Sequence, residues 1–274
     1  MSEKIPYKFI TKGELTYLTF NIWESDEKMI HGFSTRFGGV SEGALSSLNL
    51  GFNRGDKKEN VLENYHRMSE ALGVAFDSLV LSNQVHETEI VKVTEEDKGN
   101  GILKLNKWES MDGLYTNIPG ITLVTHYADC VPLFFYAPEY DMIGMAHAGW
   151  RGTVQEIGKK MIETWVRDEH IPASSIQVAI GPSIGPCHFE VDEDVARPFL
   201  NQFPNAAYIE YHEDKNKYNI DLWACNKESL MKAGVLEEHI IVSEICTCCY
   251  DQFFFSHRKT KGHRGTLGAF MSLK

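Results

Sequence analysis

Three short apolar runs, at residues 121–125, 131–136 and 142–146, follow one another closely along the chain. Turn residues separate them, notably Pro138-Glu139-Tyr140-Asp141. Short apolar runs bounded by turn residues are typical of strands that are buried on both faces. The pattern therefore predicts three neighbouring strands in a well-buried sheet.

A helix is predicted directly after the segment Gly149-Trp150-Arg151-Gly152. Thr153 and Glu156 have the spacing of a capping box, in which the two side chains cap the first turn of a helix. The apolar residues that follow share one face of a helix, namely Val154, Ile157, Met161, Ile162, Trp165 and Val166. We expect this helix to begin at Thr153.

Two further helices are predicted from their end signals. One begins near Asn60, has Glu63 in the capping-box position and ends at Gly73, with Val61, Tyr65, Met68 and Leu72 as its apolar stripe. The other runs from a cap at Asp221 to Gly234.

The remaining apolar runs, at 176–180, 240–245 and 253–255, also resemble strands. Strands and helices do not alternate in a regular βαβ rhythm, and no linker or internal repeat divides the chain. The sequence thus predicts an α+β fold: a single domain, residues 1–274, with a mixed β-sheet core flanked by helices.

Composition restricts the classes of partner. The chain has 274 residues, 43% hydrophobic and 24% charged, with a formal net charge of −11. An acidic chain without a basic patch repels a polyphosphate backbone, so nucleic acid is not an expected partner. No run approaches the roughly 20 apolar residues of a membrane helix, and the first residues do not resemble a signal peptide. We expect a cytoplasmic protein with no membrane partner.

Six cysteines are present, at positions 130, 187, 225, 246, 248 and 249. In the cytoplasm they would be reduced thiols. The segment Cys-Thr-Cys-Cys at 246–249 lacks the paired C-x-x-C spacing of zinc ribbons, so half-buried strand cysteines are the favoured interpretation there. Cys187 lies in a Gly/Pro loop, and the sequence assigns it no role.

Two metal-capable residues lie at the ends of predicted strands. Cys130 precedes the strand at 131–136, and His147 follows the strand at 142–146. If the two strands pair as a hairpin, both side chains lie at one edge of the sheet. Two histidines and one cysteine leave the fourth position of a tetrahedral zinc site open, as in catalytic sites. The second histidine, His86, lies far away in sequence. Taken singly, each of these residues is more often a packing residue than a ligand.

Six segments resemble the conserved blocks of one family, the YfiH/YlmD or laccase-domain family, formerly called multicopper polyphenol oxidases. They occur in the family's order over nearly the whole chain: His-Gly-Phe-Ser-Thr-Arg-Phe-Gly-Gly-Val-Ser (31–41), Asn-Gln-Val-His (83–86), Ala-Asp-Cys-Val-Pro (128–132), His-Ala-Gly-Trp-Arg-Gly (147–152), Gly-Pro-Ser-Ile-Gly-Pro-Cys (181–187) and Phe-Phe-Ser-His-Arg (254–258). The resemblance implies the YfiH-like fold, similar to that of cytotoxic necrotizing factor, and a zinc ion bound by His86, Cys130 and His147.

The resemblance also implies purine nucleoside chemistry: phosphorolysis of adenosine, inosine, guanosine and methylthioadenosine, and deamination of adenosine. Deamination requires an activated water, and zinc lowers the pKa of a bound water toward about 7. Asp129 is a candidate proton shuttle by its chemistry. Orienting a ligand histidine is an equally good role for this carboxylate.

Phosphorolysis requires an anion site for the second substrate, phosphate. Arg151 precedes the predicted helix N-terminus at Thr153, where free N–H groups and the helix dipole favour anions. Arg36, in a Gly-rich turn, and the pair His257-Arg258 are further phosphate or ribose candidates, because a guanidinium can bind phosphate in a bidentate manner. Each arginine could equally form a structural salt bridge. His126 and His188 are expected to be structural, and Ser183 and Ser256 could bind a hydroxyl or phosphate.

Three alternative functions remain open. Cys130 and His147 could form the nucleophile–base pair of a thiol hydrolase, which would not require His86. A copper-dependent polyphenol oxidase is disfavoured, because none of the eleven histidines forms a His-x-His pair; copper could nevertheless displace zinc from such a site. A binding module without catalysis would not require an open metal site beside arginines. The sequence does not predict an oligomeric state.

Overall fold

The computed structural model describes residues 5–274, which contain fifteen strands and six α-helices. The strands are β1 Tyr7–Lys12, β2 Leu15–Phe20, β3 Met29–Ser34, β4 Leu79–Leu81, β5 Ile90–Lys92, β6 Gly113–Thr116, β7 Thr122–Tyr127, β8 Val131–Ala137, β9 Met142–Ala148, β10 Gln177–Ile180, β11 Glu190–Val191, β12 Ile209–His212, β13 Lys217–Ile220, β14 Ile240–Val242 and β15 Leu267–Leu273. The helices are α1 Lys58–Leu72, α2 Trp150–Val154, α3 Ile157–Asp168, α4 Glu193–Gln202, α5 Leu222–Lys232 and α6 His257–Thr260.

Two six-stranded mixed sheets form the centre of the fold. The first sheet has the strand order β1-β2-β3-β15-β7-β4, and the second has the order β14-β10-β8-β9-β6-β5. A small third sheet has the order β11-β13-β12. Most neighbours are antiparallel, whereas β4–β7, β5–β6 and β10–β14 are parallel pairs. The predicted fold class, a mixed β-sheet core flanked by helices, is confirmed.

Strand β8 shows why the second sheet is buried on both faces. Phe134 and Tyr136 belong to the apolar core between the two large sheets. Leu133 and Phe135, which point to the opposite face, belong to the core that α3, α4 and α5 cover. Because alternate residues enter two different cores, the strand is apolar throughout instead of alternating with polar residues.

Helix α1 covers the outer face of the first sheet. Its predicted apolar stripe is buried there: Val61, Tyr65, Met68 and Leu72. The helix begins at Lys58, with Asn60 inside its first turn, so the predicted start near Asn60 is two residues late. Gly73 ends it in the left-handed conformation (φ 75°), as predicted. The predicted cap of α5 is also confirmed, since the Asp221 carboxylate accepts hydrogen bonds from the backbone N–H groups of Trp223 and Ala224.

The predicted capping box at Thr153 and Glu156 is wrong. Thr153 lies inside α2, where its hydroxyl donates to the carbonyl of Ala148 and accepts from the Asn226 side chain. Glu156 adopts a left-handed conformation (φ 56°) between α2 and α3. The segment is therefore two helices separated by a sharp turn, and Arg151 lies within the short first helix.

Three strand predictions also need correction. The run at 121–125 forms β7, which belongs to the first sheet, whereas its predicted neighbours β8 and β9 pair in the second sheet. The run at 240–245 is a strand only over Ile240–Val242, and 253–255 contains no strand. The cysteines at 246–249 lie in a bridge and the turn after it, so the prediction of strand cysteines is wrong.

The chain crosses from the first large sheet to the second at two places that concern the site. One crossing joins β4 to β5 through residues 82–89, and the other joins β7 to β8 through residues 128–130. Polar residues at these crossings therefore meet at the seam between the sheets. Among the described residues, no helix is long and apolar enough to cross a membrane.

Candidate active site

The β8–β9 hairpin brings Cys130 and His147 together as predicted. Val131 lies opposite Ala148 and Pro132 opposite His147 in the antiparallel register. Cys130 immediately precedes β8, and its partly exposed side chain lies next to the buried imidazole of His147. The prediction that the start of one strand lies beside the end of the other is confirmed.

His86 reaches the same place from the first crossing, through a turn held by Asp112. His86 has a left-handed backbone conformation (φ 67°), which is strained for a residue with a side chain. The Asp112 carboxylate accepts hydrogen bonds from the backbone N–H groups of Val85, His86 and Glu87 at 3.0–3.1 Å. These bonds hold the turn that presents the His86 side chain.

Asp112 also orients the other histidine. Its Oδ1 lies 2.7 Å from Nδ1 of His147, so Nε2 is the ring nitrogen left for a metal. A carboxylate behind a ligand histidine fixes the tautomer and ring orientation at many metal sites. Asp112 is fully buried. Asp112 is not recognisable from the sequence, because nothing in Met-Asp-Gly at 111–113 distinguishes it from an ordinary turn aspartate.

The three predicted ligands fit one metal ion. Atoms of His86, Cys130 and His147 that can bind a metal all lie within 4.8 Å of one another, with 3.8 Å between the Cys130 Sγ and the His86 Nε2. Gly149 leaves room between the three ligands because it has no side chain. A Cβ at this glycine would lie 2.9 Å from His86 Cδ2, 3.3 Å from Cys130 Sγ and 3.5 Å from His147 Cε1. The donor set and the room around it suit zinc or copper, with one coordination position open.

The electrostatics of this group favour charged forms of both partners at its centre. Burial opposes ionisation of the Cys130 thiol, but His147 and His86 outweigh burial and lower its pKa to about 6. Burial also opposes protonation of His147, whereas Cys130 and Asp112 raise its pKa to about 9. A thiolate is the form of cysteine that binds a metal or acts as a nucleophile.

A cavity of about 1190 Å³ opens beside the three ligands. Its lining contains many cationic side chains despite the acidic balance of the whole chain, namely Arg54, Lys58, Lys104, Arg151, Arg258 and Arg264. A cluster of cations around a concave surface makes the local electrostatic potential positive and attracts anions, although the chain as a whole is negatively charged. The cavity is larger than a nucleoside-sized ligand requires.

Arg264 is the most unusual of these cations, and no sequence motif pointed to it. Its side chain is buried, with 8% exposed, yet within residues 5–274 no carboxylate forms a salt bridge with it. Its Nη1 donates to the Gly265 carbonyl and the Thr266 hydroxyl, whereas its Nε has no hydrogen-bond partner in the described chain. Burial and the neighbouring Arg54 lower its pKa to about 10. A buried guanidinium in this state is suited to an anionic ligand.

The structure places Asp129 next to Cys130 but surrounds its carboxylate with donors. One carboxylate oxygen accepts from the Thr247 hydroxyl at 2.7 Å, and the other from the backbone N–H of Arg258 at 2.6 Å. Its backbone is left-handed (φ 84°). These bonds support a positioning role for Asp129, in which it ties the Cys130 turn to the segments at 247 and 258.

The predicted phosphate residues fall into two groups. Arg151 is exposed, packs over the Trp150 ring at 4.4 Å and lines the cavity. His257 and Arg258 also line it, although the Arg258 Nη1 donates to the carbonyls of His188 and Glu190. Arg36 does not belong to the cavity lining.

The guanidinium of Arg36 has a structural environment instead. It donates to the backbone carbonyls of Ser46 and Asp251, each at 2.9 Å, and lies over the Phe255 ring. These contacts connect the loop at 36–47 to the turn at 251–255, so its placement does not support the predicted phosphate role.

The surroundings of His126 agree with a structural histidine. Its Nε2 lies 2.5 Å from the Tyr65 hydroxyl, and burial, followed by the nearby His147 and Arg54, lowers its pKa to about 4. Ser183 accepts a hydrogen bond from the Trp223 indole, and Ser256 caps α6. Both serine hydroxyls therefore already have hydrogen-bond partners within the protein, and their placement does not support the predicted binding of a hydroxyl or phosphate.

Comparison with known proteins identifies the family. The family model described as multi-copper polyphenol oxidoreductase laccase matches residues 30–274. The purine nucleoside phosphorylase YlmD of Geobacillus stearothermophilus is 41% identical over 244 residues, which cover 88% of this chain and 89% of that protein. The protein of the same name from Bacillus subtilis is 36% identical over 253 residues, 92% of this chain and 91% of that protein. The crystal structure of the Bacillus licheniformis hypothetical protein YfiH has a TM-score of 0.90 and 32% identity, and the match covers 99% of this chain and 100% of that chain. The chain thus belongs to the multi-copper polyphenol oxidoreductase laccase family, the YfiH/YlmD family that its sequence motifs predicted.

Proposed function

We propose that this chain is a zinc-dependent purine nucleoside phosphorylase that cleaves adenosine, inosine, guanosine and methylthioadenosine with phosphate and also deaminates adenosine. The observation that carries the proposal is the meeting of two features in one cavity. An open three-residue ligand set, His86, Cys130 and His147, lies at its edge. Six cationic side chains line the same space, and within residues 5–274 none of them forms a salt bridge. The relatives named purine nucleoside phosphorylase support the same assignment.

The ligand set suits a metal that takes part in chemistry. When bound there, zinc would supply a Lewis acid at the cavity wall. The chain's own contribution is to fix the ligands: Asp112 orients His147 and holds the His86 turn, while Asp129 holds the turn before β8. Such supporting carboxylates determine ligand geometry, and their removal commonly lowers metal affinity by about 10–100-fold.

The buried guanidinium of Arg264 is the group best suited to bind phosphate, with Arg54 beside it. Phosphate must be held as an anion and stripped of part of its water while the glycosidic bond breaks. A preformed, desolvated guanidinium interacts with an anion more strongly than a solvated one. Arg151 and Arg258, which line the same cavity, can contribute to the same anion field or bind the ribose.

The deaminase activity follows from the same cavity without phosphate. For deamination, the nucleoside would bind with its base, and not its ribose, next to the metal site. The amino-bearing carbon of the base would then face the activated water that deamination requires. The two activities together require small-molecule purine nucleosides and phosphate as partners. A cytoplasmic location agrees with the six cysteines forming no disulfide bond.

The test measures inosine and adenosine turnover with and without phosphate. We expect hypoxanthine from inosine only when phosphate is present, together with a sugar phosphate. Arg264→Gln should raise the KM for phosphate at least about tenfold, since a charged hydrogen-bond donor is worth about 1.5–3 kcal/mol. Adenosine deamination by the same variant should change little. Arg197→Gln, an exposed arginine paired with Glu193 away from the cavity, is the matched control. Hypoxanthine release without phosphate would contradict phosphorolysis, and equal loss of both activities in Arg264→Gln would remove Arg264 from the phosphate role.

A second candidate function is a thiol hydrolase, which the Cys130–His147 pair favours. A thiol with a pKa near 6 beside an imidazolium is the arrangement of cysteine hydrolases. The two functions differ in their need for His86. His86→Ala should abolish metal binding at the cavity and nucleoside turnover in the proposed enzyme while the fold remains intact. A metal-free protein that remains active and loses activity on thiol alkylation would favour the hydrolase.

A further inference from the structure

A second group of metal-capable side chains lies outside the cavity. Cys187 and His188 follow β10 on one loop, and Cys246 and Cys249 lie on another, near the end of the chain. Atoms of all four residues that can bind a metal lie within 4.8 Å of one another. Two of these residues, Cys187 and Cys249, are exposed, whereas Cys246 is buried with 4% exposed. An ion from solution can therefore reach the group.

The distances within this group are those of a tetrahedral zinc site. Zinc–sulfur bonds of about 2.3 Å and zinc–nitrogen bonds of about 2.0 Å place two sulfurs about 3.8 Å apart, and nitrogen and sulfur about 3.5 Å apart. The His188 Nδ1 lies 3.2, 3.6 and 3.4 Å from the sulfurs of Cys187, Cys246 and Cys249. The sulfurs of Cys187 and Cys249 are 3.5 Å apart. These four distances agree with a tetrahedral site to within about 0.3 Å, and the two remaining sulfur–sulfur distances are at most 4.8 Å.

Backbone bonds hold the two loops together at this point. The Ser183 N–H donates to the Ile245 carbonyl, and the Thr247 N–H donates to the Ser183 carbonyl. The backbone N–H of Gly185 donates to the Cys246 sulfur at 3.3 Å. A donor to a ligand sulfur is a common supporting contact at thiolate metal sites. The side chains consequently converge on a frame that other contacts already fix.

We propose that Cys187, His188, Cys246 and Cys249 bind a structural zinc ion. Four protein ligands close the coordination sphere, which distinguishes this site from the three-ligand set at the cavity. Three soft thiolates select zinc over magnesium or calcium. Each cysteine loses its proton to solvent when it binds, so zinc uptake releases up to three protons. The inference does not depend on the proposed function, because it concerns residues outside the cavity.

The ion would stabilise the support of the candidate active site. Thr247, between two of the ligands, donates its hydroxyl to Asp129 beside Cys130. Arg258 donates to the backbone carbonyl of His188. A zinc ion that joins the loops at 187–188 and 246–249 would therefore restrict the residues that hold the turn before β8.

The experiment measures metal content in a Cys130→Ala background, which removes the cavity thiolate. The full-length Cys130→Ala protein should retain one zinc per chain. Adding Cys187→Ser and Cys249→Ser should remove that zinc and lower the thermal unfolding temperature. Cys248→Ala is the matched control, because Cys248 lies in the same turn but is buried in the apolar core and is not one of the four clustered residues; it should retain the zinc.

A spectroscopic measurement covers the case in which the double variant fails to fold. Cobalt substituted into Cys130→Ala should show thiolate-to-metal charge-transfer absorption and tetrahedral visible bands. His188→Ala, which leaves the three thiolates, should change the visible bands while keeping charge transfer. A Cys130→Ala protein without zinc and without cobalt charge transfer would overturn the proposal. So would a Cys187–Cys249 disulfide in the purified protein, seen as the loss of two hydrogens in its mass, with no metal bound.

Discussion

Gly149→Ala tests the metal centre with the smallest change the chain allows. The backbone of Gly149 has φ −62° and ψ 172°, which alanine adopts without strain. Its new Cβ would lie 2.9 Å from the Cδ2 of His86, whereas carbon atoms normally approach to about 3.6 Å. The ring of His86 must therefore move by about 0.7 Å. Metal–ligand distances tolerate only about 0.2 Å, so the ligand set is disrupted.

The magnitude follows from this displacement. We expect Gly149→Ala to weaken zinc affinity by about 10–100-fold, which corresponds to about 1.4–2.8 kcal/mol. The fold should be almost unaffected, because His86 is exposed and its side chain can rotate outward. The free energy of unfolding of the metal-free protein should change by less than about 1 kcal/mol. Chelator competition measures the affinity in a Cys187→Ser/Cys249→Ser background, which removes the second proposed zinc site, and denaturant titration of the metal-free protein measures stability.

Gly32→Ala is the matched control. A Cβ there would lie 2.9 Å from the Cδ2 of Leu72 and 3.0 Å from the Cδ2 of Tyr17, the same crowding in the core beneath α1. This variant should lose about 1–3 kcal/mol of stability through overpacking and keep its zinc affinity. Wild-type zinc affinity in a folded Gly149→Ala protein would refute the assignment of His86 as a ligand at this position.

Three further predictions concern groups that support the fold. Asp112→Asn removes a carboxylate that accepts four hydrogen bonds, so we expect a loss of about 3 kcal/mol in denaturant titrations and at least about tenfold weaker metal binding; unchanged stability would contradict the structure. His31 is buried and accepts a hydrogen bond from the N–H of Phe20, and burial lowers its pKa to about 3. Its contribution to stability is therefore complete above about pH 6.5. It is lost as the pH falls toward 3, by up to about 1.4 kcal/mol per pH unit. His31→Gln should reduce the slope of the unfolding free energy against pH between pH 4 and 6 by about 1 kcal/mol per pH unit. An unaltered slope would show that other groups cause the pH dependence. Asp221→Ala should cost about 1 kcal/mol through loss of the α5 cap, while Asp221→Asn should retain most of it in the same urea titration.

The sequence predicts the part of the site whose residues lie on neighbouring segments of the chain. The hairpin of β8 and β9 follows from two apolar runs and a short turn, and its register places Cys130 beside His147. His86 came from the family motif, because its distance in sequence carries no information about contact. Asp112 and Arg264 could not be found in this way. Their importance arises from burial and from partners that the chain brings together only in three dimensions.

The errors in the predicted elements have a common physical origin. Apolar residues at 121–125 indicate a buried strand but not which sheet the strand joins. Thr153 and Glu156 match a capping box by spacing, yet Thr153 has better partners in Ala148 and Asn226. The cysteines at 246–249 do not resemble a zinc knuckle, because their remaining ligands come from residues 187–188 on another loop. Tertiary contacts decided each of these cases.

The two sheet crossings have a consequence for the order of folding. His86 lies on the crossing from β4 to β5, and Cys130 lies on the crossing from β7 to β8. Each ligand adjoins a strand of the second sheet, but the three segments that carry them are far apart in the chain, so we expect the ligand set to be completed late in folding. Interactions that form after the transition state slow unfolding rather than speed folding. Metal bound at this seam would therefore slow unfolding and lengthen the lifetime of the native protein, while the folding rate would stay the same.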